Sequence, residues 1–226
     1  MYQYIFFDLD GTLTDPREGI TKSVQYALSC MGIEEPDLKK LEVFIGPPLV
    51  DSFMELYGFA PDKARKCVDY YREYFSVTGI YQNELLEGVP RMLKNLKKGG
   101  KTLAIASSKP EPFVCTILEH FKIAGYFDYI CGATMDETRA KKEDVIEELL
   151  RRMKLSGEER GRILMVGDRH HDVEGAAAFE IPCLGLSMGF AAKGELQRAG
   201  AIAVVDDMEE LERFILRPAR DCGQRL

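Results

Sequence analysis

The chain has no tryptophan, only three histidines among 226 residues, and no CxxC pair. Its six cysteines do not have the spacing of a zinc site, and a chain of this length can build a core without disulfides. We therefore expect most of them to be reduced, partly buried thiols of a cytoplasmic protein. These cysteines are Cys30, Cys67, Cys115, Cys131, Cys183 and Cys222.

Long apolar runs and an excess of basic charge are also missing. No run approaches the roughly 20 residues that a membrane helix needs. The N-terminal stretch has no basic region and is interrupted by Asp8 and Asp10, which argues against a signal peptide. The net charge of −7 argues against general binding of nucleic acid or an anionic membrane, because both need a basic face. The expected partner is a small molecule, and the sequence does not determine the oligomeric state.

The apolar pattern changes along the chain. Between Thr14 and Glu84 apolar residues recur at helical spacing, and no convincing strand is found. After about residue 88, short apolar strands alternate with amphipathic helices, which indicates a parallel sheet with helices on both faces. We predict an α/β protein with a core of residues 1–14 and 85–226 and an all-helical insertion of residues 15–84.

Chemically useful side chains follow three of the predicted strands. In an open parallel α/β sheet, ligands bind beyond the carboxyl ends of the strands. The strands predicted at Tyr2–Leu9, Thr102–Ala106 and Ile163–Val166 bring carboxylates, hydroxyls and a lysine to that edge. These residues are Asp8, Asp10, Ser107, Ser108, Lys109, Asp168 and the nearby Asp172.

This set suits phosphoryl chemistry. Asp8 and Asp10 lie two apart, so extended backbone projects both to the same side. Together with Asp168 they would repel one another unless a cation such as Mg²⁺ bound beside them. One carboxylate can then be a nucleophile and the other an acid and base. The Ser107 hydroxyl and the Lys142 charge suit the oxygens of a phosphoryl group.

Each residue alone also has a structural interpretation. Aspartates at strand ends often cap helices or form turns, and Ser107 and Ser108 could cap the following helix. Lys142 could be a solvated charge, although a cation in a first turn opposes the helix dipole. The occurrence of all of them at successive strand ends favours a functional site. His170 and His171 have no third nitrogen or sulfur ligand close in sequence, so we expect them to be structural or solvent-exposed.

Four segments, in this order, resemble the motifs of the haloacid dehalogenase superfamily. They are Asp8-Leu-Asp-Gly-Thr-Leu-Thr-Asp15, Ser107 in Ala-Ser-Ser-Lys-Pro, Lys142 in Lys-Glu-Asp-Val-Ile, and Gly167-Asp-Arg-His-His-Asp172. The resemblance spans essentially the whole chain. It implies a Rossmann-like three-layer α/β/α core with a helical cap inserted after the first motif.

The resemblance also implies roles for these residues. Asp8 would be the nucleophile and Asp10 the acid and base, while Ser107, Ser108 and Lys142 would bind the phosphate. Mg²⁺ would be held by Asp8, the carbonyl of Asp10 and Asp168. Lys109 and Asp172 would support this set from outside, with Asp172 positioning Lys142 or a metal-bound water.

Several segments are similar to the branch that contains phosphoglycolate phosphatases and bacterial 5′-nucleotidase-like proteins. They include Phe44-Ile-Gly-Pro-Pro-Leu49 and Val166-Gly-Asp-Arg169. Asp10 favours phosphoryl chemistry, because the dehalogenases of the superfamily lack this second carboxylate. Gly167 disfavours a phosphomutase, because mutases of similar cap type usually have glutamate there.

The expected function is that of a Mg²⁺-dependent phosphatase acting on a small phosphomonoester. A β-phosphoglucomutase-like mutase and a non-catalytic binding protein remain as alternatives. The sequence does not identify the substrate. Three cations of the insertion (Arg17, Lys22 and Arg72) could contact its remote end, although such residues are more often solvated helix charges.

Overall fold

The computed structural model describes residues 2–155 and 157–217. In this part of the chain six strands form one parallel sheet in the order β5-β4-β1-β6-β7-β8, and two short strands form a separate antiparallel pair, β2-β3. The strands are β1 (Tyr4–Phe7), β2 (Thr14–Asp15), β3 (Glu84–Leu85), β4 (Thr102–Pro110), β5 (Tyr129–Ala133), β6 (Ile163–Gly167), β7 (Cys183–Leu186) and β8 (Ala203–Val205). The first strand is therefore central, with β4 and β6 as its neighbours.

The helices connect and cover these strands. They are α1 (Arg17–Cys30), α2 (Leu49–Tyr57), α3 (Pro61–Phe75), α4 (Val89–Lys98), α5 (Glu111–His120), α6 (Lys142–Met153), α7 (Gly157–Arg160), α8 (His170–Ala177), α9 (Glu195–Ala199) and α10 (Met208–Leu216). Short 3₁₀ helices lie at Leu38–Phe44, Gly79–Tyr81 and Ala124–Tyr126. None of the described helices is long and apolar enough to cross a membrane.

Both faces of the sheet are buried, as the continuous apolar strands predicted. In β1, Ile5 and Phe7 pack into one apolar cluster and Phe6 into another on the opposite face. The first cluster receives side chains of α4, α5 and α10, and the second receives side chains of α6 and α8. The predicted three-layer α/β/α core is thus confirmed.

Residues 16–83 contain helices and turns but no strand. Their core forms where α1 and α2 pack on α3, whose buried face includes Val68, Tyr71 and Phe75. Strands β2 and β3 pair Thr14 with Leu85 and Asp15 with Glu84. This pairing holds the two ends of the helical segment side by side. The sequence did not predict this pairing, because a strand of two residues is too short to show an alternation of apolar and polar side chains.

Several element boundaries differ from the prediction. Strand β4 continues to Pro110, so Ser107, Ser108 and Lys109 lie within the strand rather than after it. The reason is that β5 pairs with β4 as far as Pro110, with an irregular register after Ser107. The apolar pattern predicts a helix that begins at Val173, but α8 begins at His170. The Asp172 carboxylate accepts the backbone N–H of Arg169 and caps the first turn of this helix.

The described cysteines are free thiols, as expected. Cys67, Cys131 and Cys183 are buried. Cys222 lies outside the described residues, as does the rest of 218–226 at the end of the predicted core.

Candidate active site

Asp8 and Asp10 follow the end of the central strand β1, and both side chains are buried. The backbone N–H of Asp8 still donates to Val166 of the neighbouring strand, at 3.0 Å. Gly11 then turns the chain at a φ of +83°, and a Cβ at this position would collide with the carboxylate of Asp168. Glycine is therefore needed here both for its backbone conformation and for the close approach of the loop.

Lys142, the first residue of α6, lies among the carboxylates. Its Nζ is 2.8 Å from Asp8 Oδ1 and 2.8 Å from Asp172 Oδ1, and it donates to the carbonyl of Ala106 at 2.8 Å. The ammonium thus makes one hydrogen bond to a backbone carbonyl and two ion pairs with carboxylates. Burial lowers the pKa of Lys142, but the carboxylates of Asp172 and Asp8 outweigh this effect and raise the pKa above its ordinary value. The solvated-charge interpretation of Lys142 is therefore wrong.

Asp168 comes from the end of β6 and is completely buried. Its carboxylate accepts from Thr12 Oγ1 at 3.0 Å and from the backbone N–H of Phe190 at 2.8 Å. No ion pair of Asp168 is found within residues 2–155 and 157–217. Burial, together with the charges of Asp172 and Asp8, raises the pKa of Asp168 well above its ordinary value.

These residues fit a divalent cation. Asp8, Asp168 and Asp172 each place one carboxylate oxygen within 4.8 Å of the others. When ionised, their three negative charges face the single positive charge of Lys142, which leaves two negative charges in a buried space. Oxygen ligands of this kind are the ones that Mg²⁺ prefers. The structure therefore provides a site that can hold a metal ion.

The second carboxylate of the first motif has a different partner. Asp10 Oδ2 is 2.7 Å from Lys109 Nζ, and this ammonium also lies 4.5 Å from the centre of the Phe75 ring. Asp10 Oδ1 is buried without a hydrogen-bond partner among the described residues. Burial raises the pKa of Asp10, against the opposing effect of Lys109. Lys109, which we expected outside the direct contacts, touches Asp10 and lines the cleft above it.

The two serines lie beside these aspartates. Ser107 and Ser108 line the same cleft as Asp8 and Asp10. Ser107 is buried, and its hydroxyl accepts the backbone N–H of Lys109 at 3.3 Å. Helix α5 begins at Glu111 after Pro110, with no side-chain cap. The capping role considered for the serines is therefore not observed.

The helical segment forms one wall of the cleft and the core the other. Ile20, Phe44, Leu49, Tyr71 and Arg72 come from the helical side. Phe113, Thr134 and Glu137 face them from the core.

Of the three cations proposed from sequence, Arg72 is the one that lines the cleft. Arg17 pairs with Asp15 and Glu42, and Lys22 pairs with Glu18. Neither is among the cleft residues.

Arg169 makes two long-range contacts that no pattern in the sequence indicates. Its Nη1 donates to the carbonyl of Ile45 at 2.8 Å, across a separation of 124 residues. Its Nε donates to Glu195 at 3.0 Å. Arg169 thus links the loop of Asp168 to the cleft wall of the helical segment. Thr12, by contrast, could have been recognised, since it lies within the first motif.

His170 and His171 are half-buried at the start of α8. His170 Nδ1 lies 2.8 Å from Glu195 Oε1. The exposed Glu174 brings a third ligand atom within 4.8 Å of the two histidines, a carboxylate oxygen that the sequence argument did not consider. Burial, aided by the charge of His170, lowers the pKa of His171 to about 4. His171 is therefore neutral near pH 7.

A parallel sheet with carboxylates and lysines gathered at its carboxyl edge has the ligand-binding arrangement of an open α/β fold. Residues 5–186 match the model of the family described as haloacid dehalogenase-like hydrolase. The chain belongs to this family, as the four motifs predicted. It is accordingly a hydrolase, of the class that acts on phosphoric monoesters.

Known proteins similar to this chain include a 5′-nucleotidase of Pseudomonas aeruginosa, with 48% identity over 87% of each chain. A tyrosine-protein kinase PtkA of Mycobacterium tuberculosis is 34% identical over 92% of this chain and 72% of its own. Phosphoglycolate phosphatase 1 of Pseudomonas aeruginosa is 28% identical over 92% of this chain and 77% of its own. The crystal structure of a predicted phosphatase from Clostridium acetobutylicum superposes with a TM-score of 0.92 at 44% identity, over 96% of this chain and 99% of that one.

Proposed function

We propose that the protein is a Mg²⁺-dependent phosphatase that hydrolyses a small-molecule phosphomonoester through an aspartyl-phosphate on Asp8. One observation carries this proposal: the Asp8 carboxylate lies on the cleft floor, 2.8 Å from the Lys142 ammonium, with Asp10 lining the same cleft. A carboxylate held in this way is oriented to attack a bound phosphorus atom.

In the first step, an oxygen of Asp8 forms a bond to phosphorus as the bond to the leaving oxygen breaks. Asp10 gives its proton to that oxygen. In the second step, Asp10 takes a proton from water, whose oxygen attacks the phosphorus and releases phosphate from Asp8. The raised pKa of Asp10 suits an acid that must carry a proton before it gives one away.

The remaining motif residues bind the phosphoryl group or position the residues that do. Ser107 and Ser108 can donate hydroxyl hydrogen bonds to the phosphoryl oxygens, and Lys142 supplies a fixed positive charge beside Asp8. Asp172 holds Lys142 in place, and Lys109 holds Asp10. Mg²⁺, bound by Asp8, the Asp10 carbonyl and Asp168, would offset the negative charge of the phosphate.

We assign residues 15–84 to a cap that covers the cleft, and residues 1–14 and 85–226 to the core. Apolar side chains from both sides line the cleft and would exclude water around the reacting groups. Relatives named 5′-nucleotidase and phosphoglycolate phosphatase support a substrate among nucleoside monophosphates and small phosphorylated acids. The free thiols fit a cytoplasmic enzyme.

The test is phosphate release from a panel of nucleoside monophosphates, phosphoglycolate and sugar phosphates, with and without Mg²⁺. Asp8→Asn should reduce turnover to less than about a hundredth, because it removes the nucleophile at almost constant volume. Asp62→Asn, at an exposed position of α3, is the matched control and should keep full activity. Retention of more than about a hundredth of the activity by Asp8→Asn would refute the role of Asp8.

Transfer of the phosphoryl group to an acceptor other than water is a second candidate, because one relative is named a tyrosine-protein kinase. The same panel tests this alternative. A phosphatase releases phosphate in step with loss of substrate, whereas a transferase or mutase loses substrate without matching phosphate. Addition of a sugar-bisphosphate primer identifies a mutase.

A further inference from the structure

Helix α3 lies directly over the reacting groups. Its Phe75 ring is in contact with the Lys109 ammonium, and the buried Tyr71 is close enough for the charge of Asp10 to contribute to a raised pKa of its hydroxyl, although burial is the larger cause. Arg72 follows Tyr71 and lines the same cleft. The helix therefore places a guanidinium in the space that the remote end of a bound ester would enter.

Arg72 differs from the other cations near the cleft. Lys109 is bound to Asp10, and Lys142 is bound to Asp8 and Asp172 below the cleft floor. Within the described residues that line the cleft, Arg72 is the cation with no contact to these aspartates. It is thus available for a group of the substrate other than the phosphate that reacts.

In the structure, Arg72 has an anionic partner from the opposite wall. Its Nη2 is 3.2 Å from Oε1 of Glu137, and both side chains remain partly exposed, at 22% and 28%. Solvent can therefore reach this pair, and an incoming anion can compete for the guanidinium. An ion pair that is exposed to solvent in this way contributes less binding free energy than a buried ion pair.

The turn that contains Glu137 holds the backbone of this residue in a defined position. Glu137 has a φ of +63°, which is uncommon for a residue other than glycine. Its turn is closed by bonds from the Thr134 N–H to Arg139 O at 2.9 Å and from the Glu137 N–H to Thr134 O at 3.2 Å. A strained backbone held by surrounding bonds is typical of functional positions.

We propose that Arg72 binds a second anionic group at the remote end of the substrate, and that Glu137 holds this position in the substrate-free protein. The inference rests on the proposed function and narrows its substrate class to phosphomonoesters that carry a second negative group. On binding, this group replaces Glu137 as the partner of Arg72, and the Glu137 carboxylate moves to solvent. A substrate without such a group leaves the Arg72–Glu137 pair intact and gains nothing from Arg72.

The test uses p-nitrophenyl phosphate as reporter substrate and two competing ligands of similar size. Phosphoglycolate carries a carboxylate, and 2-hydroxyethyl phosphate has a neutral hydroxymethyl group in its place. We expect the inhibition constant of phosphoglycolate to be about 10- to 100-fold lower than that of 2-hydroxyethyl phosphate. A hydrogen bond to a charged group strengthens binding by a factor of this size. Arg72→Gln should reduce this ratio to about one, and Glu137→Gln should increase it because the competing carboxylate is removed.

Lys66→Gln is the matched control, because Lys66 is an exposed cation of the same helix whose ammonium lies over the Tyr70 ring. It should leave the ratio unchanged. If Arg72 and Glu137 only hold the two walls together, both variants will change the two inhibition constants by the same factor, and the inference fails. Equal inhibition of the wild type by both ligands, or none by either, also overturns it. Absence of hydrolysis of p-nitrophenyl phosphate and of every ester in the panel above by the wild type would instead refute the proposed function.

Discussion

Replacement of Lys142 by methionine tests the electrostatic organisation of the site. Methionine keeps most of the length of the side chain and removes the charge. Asp8 and Asp172 each lose an ammonium at 2.8 Å, next to the buried Asp168. Removal of one partner from a buried ion pair costs about 3–5 kcal/mol, because the remaining charge is left without compensation. We expect a decrease of this size in the free energy of unfolding, measured in EDTA.

The loss should depend on pH. Burial raises the pKa values of Asp172 and Asp168 in the folded state, and in the variant Lys142 no longer opposes this effect at Asp172. The folded protein therefore binds more protons than the unfolded one. The destabilisation is then absent below the unfolded pKa of about 4 and grows as pH rises towards the folded pKa. The variant should therefore lose more stability at about pH 8 than at about pH 5. A variant that folds only at the lower pH would meet this expectation.

Urea unfolding followed by far-UV circular dichroism is the suitable assay, since the chain has no tryptophan. Lys101→Met is the matched control. Lys101 is also buried, but its ammonium donates to the carbonyl of Tyr2 at 2.6 Å and has no carboxylate partner within the described part of the chain. Lys101→Met should lower the free energy of unfolding by about 1 kcal/mol, by the same amount at both pH values. A loss below about 1 kcal/mol for Lys142→Met, or the same loss at both pH values, would refute the argument.

Three further predictions concern turnover and binding. Asp10→Asn should reduce kcat roughly 10²- to 10⁴-fold, the usual contribution of an acid–base group, in steady-state assays of phosphate release. Mg²⁺ at 100 times its Kd should stabilise the wild type by about 2.7 kcal/mol in urea unfolding, and Asp168→Asn should remove most of this gain. Arg169→Ala should raise KM more than it lowers kcat, because its guanidinium supports the cleft wall at Ile45 and does not touch Asp8.

Each of these has a contradicting result. An Asp10→Asn variant as active as the wild type would exclude Asp10 from the mechanism. Equal stabilisation of wild type and Asp168→Asn by Mg²⁺ would place the ion elsewhere. For Arg169→Ala, Glu195→Gln is the comparison, because it weakens the support of Arg169 but keeps its bond to Ile45. A fall in kcat at constant KM would show that Arg169 acts on the reacting groups.

Local pattern was sufficient for several elements of the core and for one helix of the helical segment. The apolar pattern predicts helices at Leu49–Tyr57, Lys142–Met153 and Met208–Leu216 and a strand at Cys183–Leu186. Helices α2, α6 and α10 and strand β7 have these bounds in the structure. In each of these elements the regular spacing of apolar residues stops at a turn or at a run of polar residues. Residues close in sequence therefore define where the element begins and ends. The four motifs also indicated which residues meet at the carboxyl edge. A parallel sheet brings its strand ends together whatever the details of packing.

Only the tertiary structure decided what depends on distant partners. Strand β4 runs past Ala106 because β5 pairs with it there. Lys109 contacts Asp10, Arg72 faces Glu137 across 65 residues, and Arg169 reaches Ile45 across 124. Sequence spacing does not encode such contacts. The first follows from the pairing of β1 with β4, and the other two follow from the way the helical segment sits over the sheet. The sequence by itself therefore predicted which charged side chains gather around Asp8, whereas the packing of two walls determined the shape and charge of the cleft above it.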